Sequence, residues 1–116
     1  MITIEGVHEE DKPIVRNVIA VIEAFKKTKT FSSWSCNVAK GQYIVTAFLA
    51  EGDWEIGSRE MDAIYEVNPL RVLSVSVQNQ GQRASLKVRI SDRNEPIMLT
   101  ETQLVHVRKR SRWLSS

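Results

Sequence analysis

The sequence predicts a two-layer α+β sandwich, in which an antiparallel sheet of two hairpins carries two helices on one face. Three observations support this fold class. Residues 70–91 alternate between apolar and polar on both sides of a polar turn, residues 31–50 do the same, and a helical apolar pattern precedes each segment. Packing both helices on one side of the sheet is the simplest way to bury all four apolar surfaces.

Length and charge indicate one domain with a basic end. The 116 residues are 42% hydrophobic and 26% charged, which is ordinary for a globular protein with its own core. Four of the 16 basic residues follow Glu101, whereas all 14 acidic residues lie at or before it, so residues 1–101 have a net charge of −2. We therefore expect a single domain over residues 1–107 and a basic tail at residues 108–116.

The sequence shows no sign of a membrane or secretory segment. The start, MITIEGVHEEDK, lacks a basic stretch followed by an apolar run, and no apolar run approaches the roughly 20 residues of a membrane helix. A single cysteine, Cys36, rules out an internal disulfide and fits a reducing compartment. We therefore expect a soluble cytoplasmic protein without a membrane partner.

The chain is predicted to begin with a helix. Residues 2–7 alternate briefly, either as a short leading strand or as a frayed terminus. The helix covers residues 12–28, with Asp11 as its N-cap and Pro13 in its first turn. Its apolar stripe consists of Ile14, Val15, Val18, Ile19, Ile22 and Phe25.

A hairpin is predicted over residues 31–50, with its turn at Lys40–Gly41. This register places the following apolar pairs on one face: Val38 with Tyr43, Cys36 with Val45, and Trp34 with Ala47. Ile44 and Phe48 then lie on the opposite, otherwise polar face, which helices on the first face cannot cover. We therefore predict that Ile44 and Phe48 contact a partner, either the tail or another subunit.

The second half repeats this arrangement. A second helix is predicted over residues 58–67, capped by Ser58 and ended by Pro69. A turn at Gln80–Gly81 in the hairpin at residues 70–91 pairs Val77 with Ala84, Val75 with Leu86 and Leu73 with Val88 on one face, and Val72 with Arg89 on the other. Residues 97–107 fit neither period cleanly, and we favour an edge strand at 103–108.

The predicted element order is helix, hairpin, helix, hairpin. With the leading strand included, the first six elements follow the βαββαβ plan of ferredoxin-like folds. A helix, two strands, a helix and further strands also resemble the roadblock-type arrangement, which is a scaffold fold. Both likenesses concern element order, and fold order says little about function.

The basic tail is the most suggestive short stretch for binding. Four cations stand beside an indole here, and together they could neutralise phosphates and stack a base of a nucleic acid. The same charges could instead bind an acidic surface of a protein, or only solubilise the chain. The residues are Arg108, Lys109, Arg110 and Arg112, with Trp113.

The polar face of the second hairpin is a weaker candidate for nucleic-acid binding. It carries Arg83, Lys87 and Arg89 among serines and no aromatic residue. Sheets that bind RNA stack bases on aromatic side chains. This composition therefore favours a solvated face.

We predict no catalytic residue, metal site or cofactor. An acidic patch surrounds the second helix, but Ile56 stands where a calcium loop needs glycine. Cys36 is expected in the core, and His8 and His106 lie at opposite ends of the chain without a metal-ligand spacing. The patch, which could also attract the tail, consists of Glu51, Asp53, Glu55, Glu60, Asp62 and Glu66.

The predicted function is a non-enzymatic binding or assembly module that acts through the sheet surface, the sheet edges and the basic tail. The partner is expected to be a second copy, giving a homo-oligomer, or another protein. Trp54 and Trp113 are the large apolar residues that the core explains least, so each is interpreted as a partner contact or as local packing. The alternatives are a nucleic-acid-associated protein that uses the tail, and a small ligand-binding protein or enzyme with an acidic pocket between helices and sheet.

Overall fold

The computed structural model describes residues 4, 6–25, 31–49, 52–80, 83–92, 101 and 103–107. Residues 101 and 103–107 are helical, and 103–107 are called the C-terminal helical segment below. No helix in these ranges is both long and apolar enough to cross a membrane. The other elements, in chain order, are a 3-10 turn at Glu9–Asp11, α1 at Lys12–Phe25, β1 at Phe31–Ala39, β2 at Gln42–Leu49, α2 at Ser58–Tyr65, β3 at Val72–Gln80 and β4 at Arg83–Ser91.

The four described strands form one antiparallel sheet in the order β1-β2-β4-β3. Buried side chains of α1 and α2 join one face of this sheet in a single hydrophobic core. The predicted fold class is confirmed: an α+β two-layer sandwich of the ferredoxin-like or a related kind. The predicted leading strand is not seen at Ile4, Gly6 or Val7, and its other residues lie outside the described ranges.

The first hairpin has the predicted register. Val38 pairs with Tyr43, Cys36 with Val45, and Trp34 with Ala47. Gly41 has a φ of +79°, a left-handed conformation that glycine adopts without strain. Residues Lys40–Gly41 therefore form the expected two-residue turn between β1 and β2.

From Ser74 onward, the second hairpin has the predicted faces but a different register. Gln80 pairs with Arg83, so Val77 lies opposite Leu86 rather than Ala84. A turn placed one residue later shifts each cross-strand pair by two positions, and a shift of two preserves which side chains share a face. The periodicity thus predicted the buried face correctly and the pairing wrongly.

A bulge near the start of β3 makes one predicted face wrong. The register shifts between Val72 and Ser74, and Val72 pairs with Ile90 instead of facing Arg89. The extra residue of a bulge reverses the alternation on one side of it. Val72 is consequently buried in the core, and Leu73 is only partly buried.

The helix starts also differ from the predictions. Asp11 is the last residue of the 3-10 turn, and its side chain is buried rather than capping α1. Ser58 is the first residue of α2, and Gly57 takes the N-cap position without a side-chain hydrogen bond. α2 ends at Tyr65, two residues before the predicted end, while residues 26–28 of the first predicted helix lie outside the described ranges.

The C-terminal helical segment replaces the predicted edge strand at 103–108. Gln103 and His106, three residues apart, are buried, whereas Leu104 and Val105 are exposed. The inward stripe of this helix is therefore polar. A search for apolar periodicity could not find it, since the apolar residues are on the solvent side.

We expect Leu86→Ala to reduce the free energy of unfolding by about 2–5 kcal/mol, because Leu86 is fully buried and the change leaves a cavity. Leu70→Ala is the matched control, since Leu70 is 59% exposed, and it should change stability by less than about 0.5 kcal/mol. Urea unfolding of the three proteins measures both values. Equal effects would contradict the assignment of the buried face.

Candidate functional site

The face of the sheet opposite the helices, called the outer face, carries the two apolar residues that the sequence singled out. Ile44 and Phe48 lie on β2 on this face, as predicted, and both are partly exposed. Thr46, between them, is only 5% exposed. Lys87 and Ser35 lie on either side of Thr46 in the neighbouring strands. The centre of the outer face is therefore more apolar and more closely packed than its edges.

The charge on the outer face is positive. Lys87 and Arg89 lie on β4, opposite Thr46 and Ile44 of β2, and neither forms an ion pair with the residues that the structure describes. None of the residues of the four strands is acidic. The second hairpin carries no aromatic residue, as expected, but the sheet places Phe48 of the first hairpin opposite Ser85 on the same surface.

The two edges of the sheet differ in how the chain covers them. At β3, the Gln103 side-chain amide donates a hydrogen bond to the Val72 carbonyl (3.0 Å). The Val75 backbone forms a second hydrogen bond, with the Tyr65 hydroxyl, whose pKa is raised by burial. His106 stacks on Tyr65, with ring centroids 4.7 Å apart, and holds the C-terminal helical segment against α2. The backbone of this edge is thus partly occupied by the chain itself.

The edge formed by β1 has an uncharged sequence. Its nine residues, FSSWSCNVA, include no charge and no proline. No further strand pairs with it in the described ranges. Val38 is 51% exposed, and Gly6 approaches its side chain closely. Apart from an irregularity between Phe31 and Ser33, β1 is a regular edge strand.

Trp54 packs locally rather than facing a partner. Its side chain is 2% exposed, and its indole N–H donates to the Ala47 carbonyl (3.2 Å). The Asn79 amide accepts from the Trp54 backbone N–H (2.9 Å) and donates to its carbonyl (3.1 Å). Of the two interpretations of this residue, the structure therefore favours the packing role.

The tail residues of the sequence-based prediction lie outside the described ranges. These are Arg108, Lys109, Arg110, Arg112 and Trp113. Glu51 of the acidic patch is outside as well. The remaining patch residues are in the loop before α2, in α2 and just after it, and Asp62 has a carboxylate oxygen 3.5 Å from His106 Nε2.

A buried polar network connects distant parts of the chain. Asp11 Oδ1 accepts from Arg71 Nη2 at 2.8 Å, and Asp11 Oδ2 accepts from the Tyr43 hydroxyl at 2.7 Å. The Arg71 guanidinium also donates to the Ser91 carbonyl from Nε and Nη2, at 2.9 and 2.7 Å. Sequence analysis missed this network, because its members are 20 to 60 positions apart and no local pattern marks them.

Two members of this network, Asp11 and Arg71, line a cleft of about 490 Å³. Asp11 is neutralised by Arg71, and Glu9 is paired with Lys12, whose hydrogen bond and charge lower the pKa of Glu9. Within the described residues, no group of three or more His, Cys, Asp or Glu side chains could hold a metal ion. Two of the four carboxylates that line the cleft, those of Asp11 and Glu9, are therefore paired with cations of the chain itself. The lining residues are His8, Glu9, Glu10, Asp11, Arg71 and Asp92.

Cys36 is partly buried on the core side of β1. Burial raises the pKa of its thiol, which keeps the reactive thiolate scarce at neutral pH. This agrees with a packing role for the cysteine.

Comparison with known proteins gives a single kind of information, the fold. No family model and no curated protein matches the chain. Among solved structures, the chain is similar to the histidine kinase AdeS of Acinetobacter baumannii, with a TM-score of 0.51 and 14% sequence identity. The alignment covers 70% of this chain and 47% of that one, so the chain spans about half the length of the kinase structure it matches. An identity this low concerns the fold alone.

We expect Arg71→Met to reduce the free energy of unfolding by about 3–5 kcal/mol, because it leaves the buried Asp11 carboxylate without its cation. Arg89→Met is the matched control on an exposed position and should cost less than about 0.5 kcal/mol. Urea unfolding at neutral pH gives both numbers. A small loss for Arg71→Met would mean that water or another group satisfies Asp11.

The buried hydroxyl of Tyr43 should make the free energy of unfolding fall at alkaline pH. Burial and the bond to Asp11 raise the pKa of Tyr43 from 10 to about 12. The folded state thus disfavours ionisation, and the resulting stability is complete below about pH 10 and lost as the pH rises towards 12. Urea unfolding at about pH 9 and pH 11.5 should show a larger fall for the natural protein than for Tyr43→Phe. Equal falls would contradict the burial of this hydroxyl.

Proposed function

We propose that this domain is a non-enzymatic protein-binding and assembly module that self-associates through the outer edge of β1, with which no further strand pairs in the described ranges. The observation that carries the proposal is the unequal cover of the two sheet edges. The β3 edge is occupied by Gln103 and Tyr65, whereas β1 presents nine uncharged residues. Native proteins blunt edge strands that must stay unpaired with charges, prolines or covering elements.

Self-pairing fits the chemistry of β1. Its outward side chains on the outer face include Ser35 and Asn37, which bring no like charges together when two copies meet. Two β1 strands can pair antiparallel about a twofold axis, because that symmetry matches each donor of one copy with an acceptor of the other. The result is a continuous sheet of eight strands.

The covered β3 edge supports a closed dimer rather than an open array. After two β1 strands pair, both ends of the joined sheet are β3 edges. Gln103 and Tyr65 occupy backbone groups of that strand, so a further copy has no equivalent edge to join. The proposed oligomer therefore stops at two copies.

The two alternatives have weaker support. Nucleic-acid binding through Arg108–Trp113 rests on the composition of the tail. Binding of a small ligand in an acidic pocket has the cleft lined by Asp11 and Arg71 in its favour, but the charges of Asp11 and Glu9 are paired with those of Arg71 and Lys12. The assembly module is the function that the described geometry supports best.

We expect the natural protein to have the mass of a dimer at tens of micromolar, and the double variant Ser35→Lys with Asn37→Lys to be a monomer. Lysines on this edge would put four extra charges at the pairing of two copies. The matched control is Ser76→Lys with Gln78→Lys, the same exchange on the outer face of β3, which should stay a dimer. Size-exclusion chromatography with light scattering measures the masses.

Urea unfolding serves as the control for folding, since all four positions lie in edge strands and the variants should keep most of their stability. A monomeric natural protein at tens of micromolar would contradict the proposal. A dimer that survives lysines on β1 but dissociates with lysines on β3 would place the interface on the wrong edge.

A further inference from the structure

The outer face combines apolar and positively charged side chains that contribute neither to the hydrophobic core nor to the proposed pairing of β1. Ile44 and Phe48 form a partly exposed apolar pair on β2, and Lys87 and Arg89 flank it on β4. The four strands supply no acidic residue to balance those cations. The surface is therefore complementary to a partner that is apolar along one stripe and negative beside it.

A second copy does not fit this face. Stacking two outer faces would place the Lys87 and Arg89 side chains of both copies at one interface, and like charges at an interface oppose association. The apolar residues of α2 are in the core, so α2 of a second copy offers no free apolar stripe either. The positive charge of the outer face therefore favours another protein over a second copy as the occupant.

The backbone of the sheet indicates the conformation of that occupant. β2 is paired on both sides, with β1 and β4, and β4 is paired with β2 and β3. A segment lying over these strands finds side chains and no backbone partners, so it must satisfy its own backbone hydrogen bonds. An α-helix does so. Phe48 is four positions after Ile44 in the strand, a distance of roughly 13 Å, which equals about nine residues of a helix.

We propose that the outer face docks an acidic amphipathic helix of another protein. The apolar stripe of the helix lies on Ile44 and Phe48, and carboxylates beside the stripe face Lys87 and Arg89. This deepens the proposed function, since it rests on the domain being a protein-binding module and names the chemistry of its partner. It does not depend on pairing of β1.

The chemistry of the face favours a protein over RNA. Sheets that read RNA stack two or three bases on aromatic side chains. Phe48 is the only aromatic residue on the outer face in the described strands, and it is partly buried. A single half-covered ring gives one stacking position at most.

The test uses the full chain and two synthetic helical peptides of about 18 residues with leucines at the same positions three and four apart. One peptide carries glutamates at the other positions, and the second carries lysines. We expect fluorescence anisotropy to show at least about tenfold tighter binding of the glutamate peptide at low salt, with the preference falling as salt rises. Lys87→Glu with Arg89→Glu should reverse the preference.

Lys40→Glu is the control variant, because Lys40 is exposed in the β1–β2 turn, and it should leave the preference unchanged. Phe48→Ser should weaken both peptides, and circular dichroism confirms folding of each variant. If a variant fails to fold, amide shifts of the natural protein report the site, and they should move on β2 and β4. Equal binding of both peptides, binding of neither, or shifts confined elsewhere would overturn the proposal.

Two further arms separate this inference from other outcomes. The first measures binding of single-stranded RNA. The inference would also be overturned if RNA binds the natural protein, loses affinity for the Lys87→Glu, Arg89→Glu variant, and the glutamate peptide does not bind. Peptide binding and molecular mass are then measured on the natural protein at the same concentrations. Binding supports the inference whatever the oligomeric state, and a natural monomer that binds the peptide contradicts only the self-association.

Discussion

The ion pair between Arg71 and Asp11 is the interaction on which the rest of the structure depends. Both side chains are buried, and a buried charge without its partner is costly, so the residues that satisfy them must converge in space. Asp11 precedes α1, Arg71 precedes β3, and their other partners, Tyr43 and Ser91, lie at the start of β2 and the end of β4. One network therefore fixes the first helix against one end of both hairpins.

The two edges of the sheet are the places where a further strand could pair. The C-terminal helical segment lies on the β3 side, where Gln103 and His106 turn polar groups towards β3 and α2. Nothing equivalent accompanies β1 among the described residues. The C-terminal helical segment thus distinguishes the two edges among the described residues, and the proposed self-association rests on that difference.

Much of the fold can be predicted from the sequence because period-two and helical patterns depend on burial alone. The faces of β2 and β4 and the turn at Lys40–Gly41 were predicted in this way. The bulge near Val72 was not predicted, since the extra residue of a bulge has no characteristic residue type in this sequence. Asp11 resembled a helix cap, and its true partner is 60 residues away. The burial of Trp54, Gln103 and His106 was not predicted, because it depends on hydrogen bonds or stacking that only the fold creates.

Amide hydrogen exchange at low and high protein concentration tests the central claim, that the chain closes one edge of its sheet and leaves the other for a second copy. If the proposed dimer forms, the outward amides of β1 should exchange faster on dilution, while those of β3 keep their protection at every concentration. Protection of β1 that does not change with concentration would contradict the account, as would protection that changes on β3 alone.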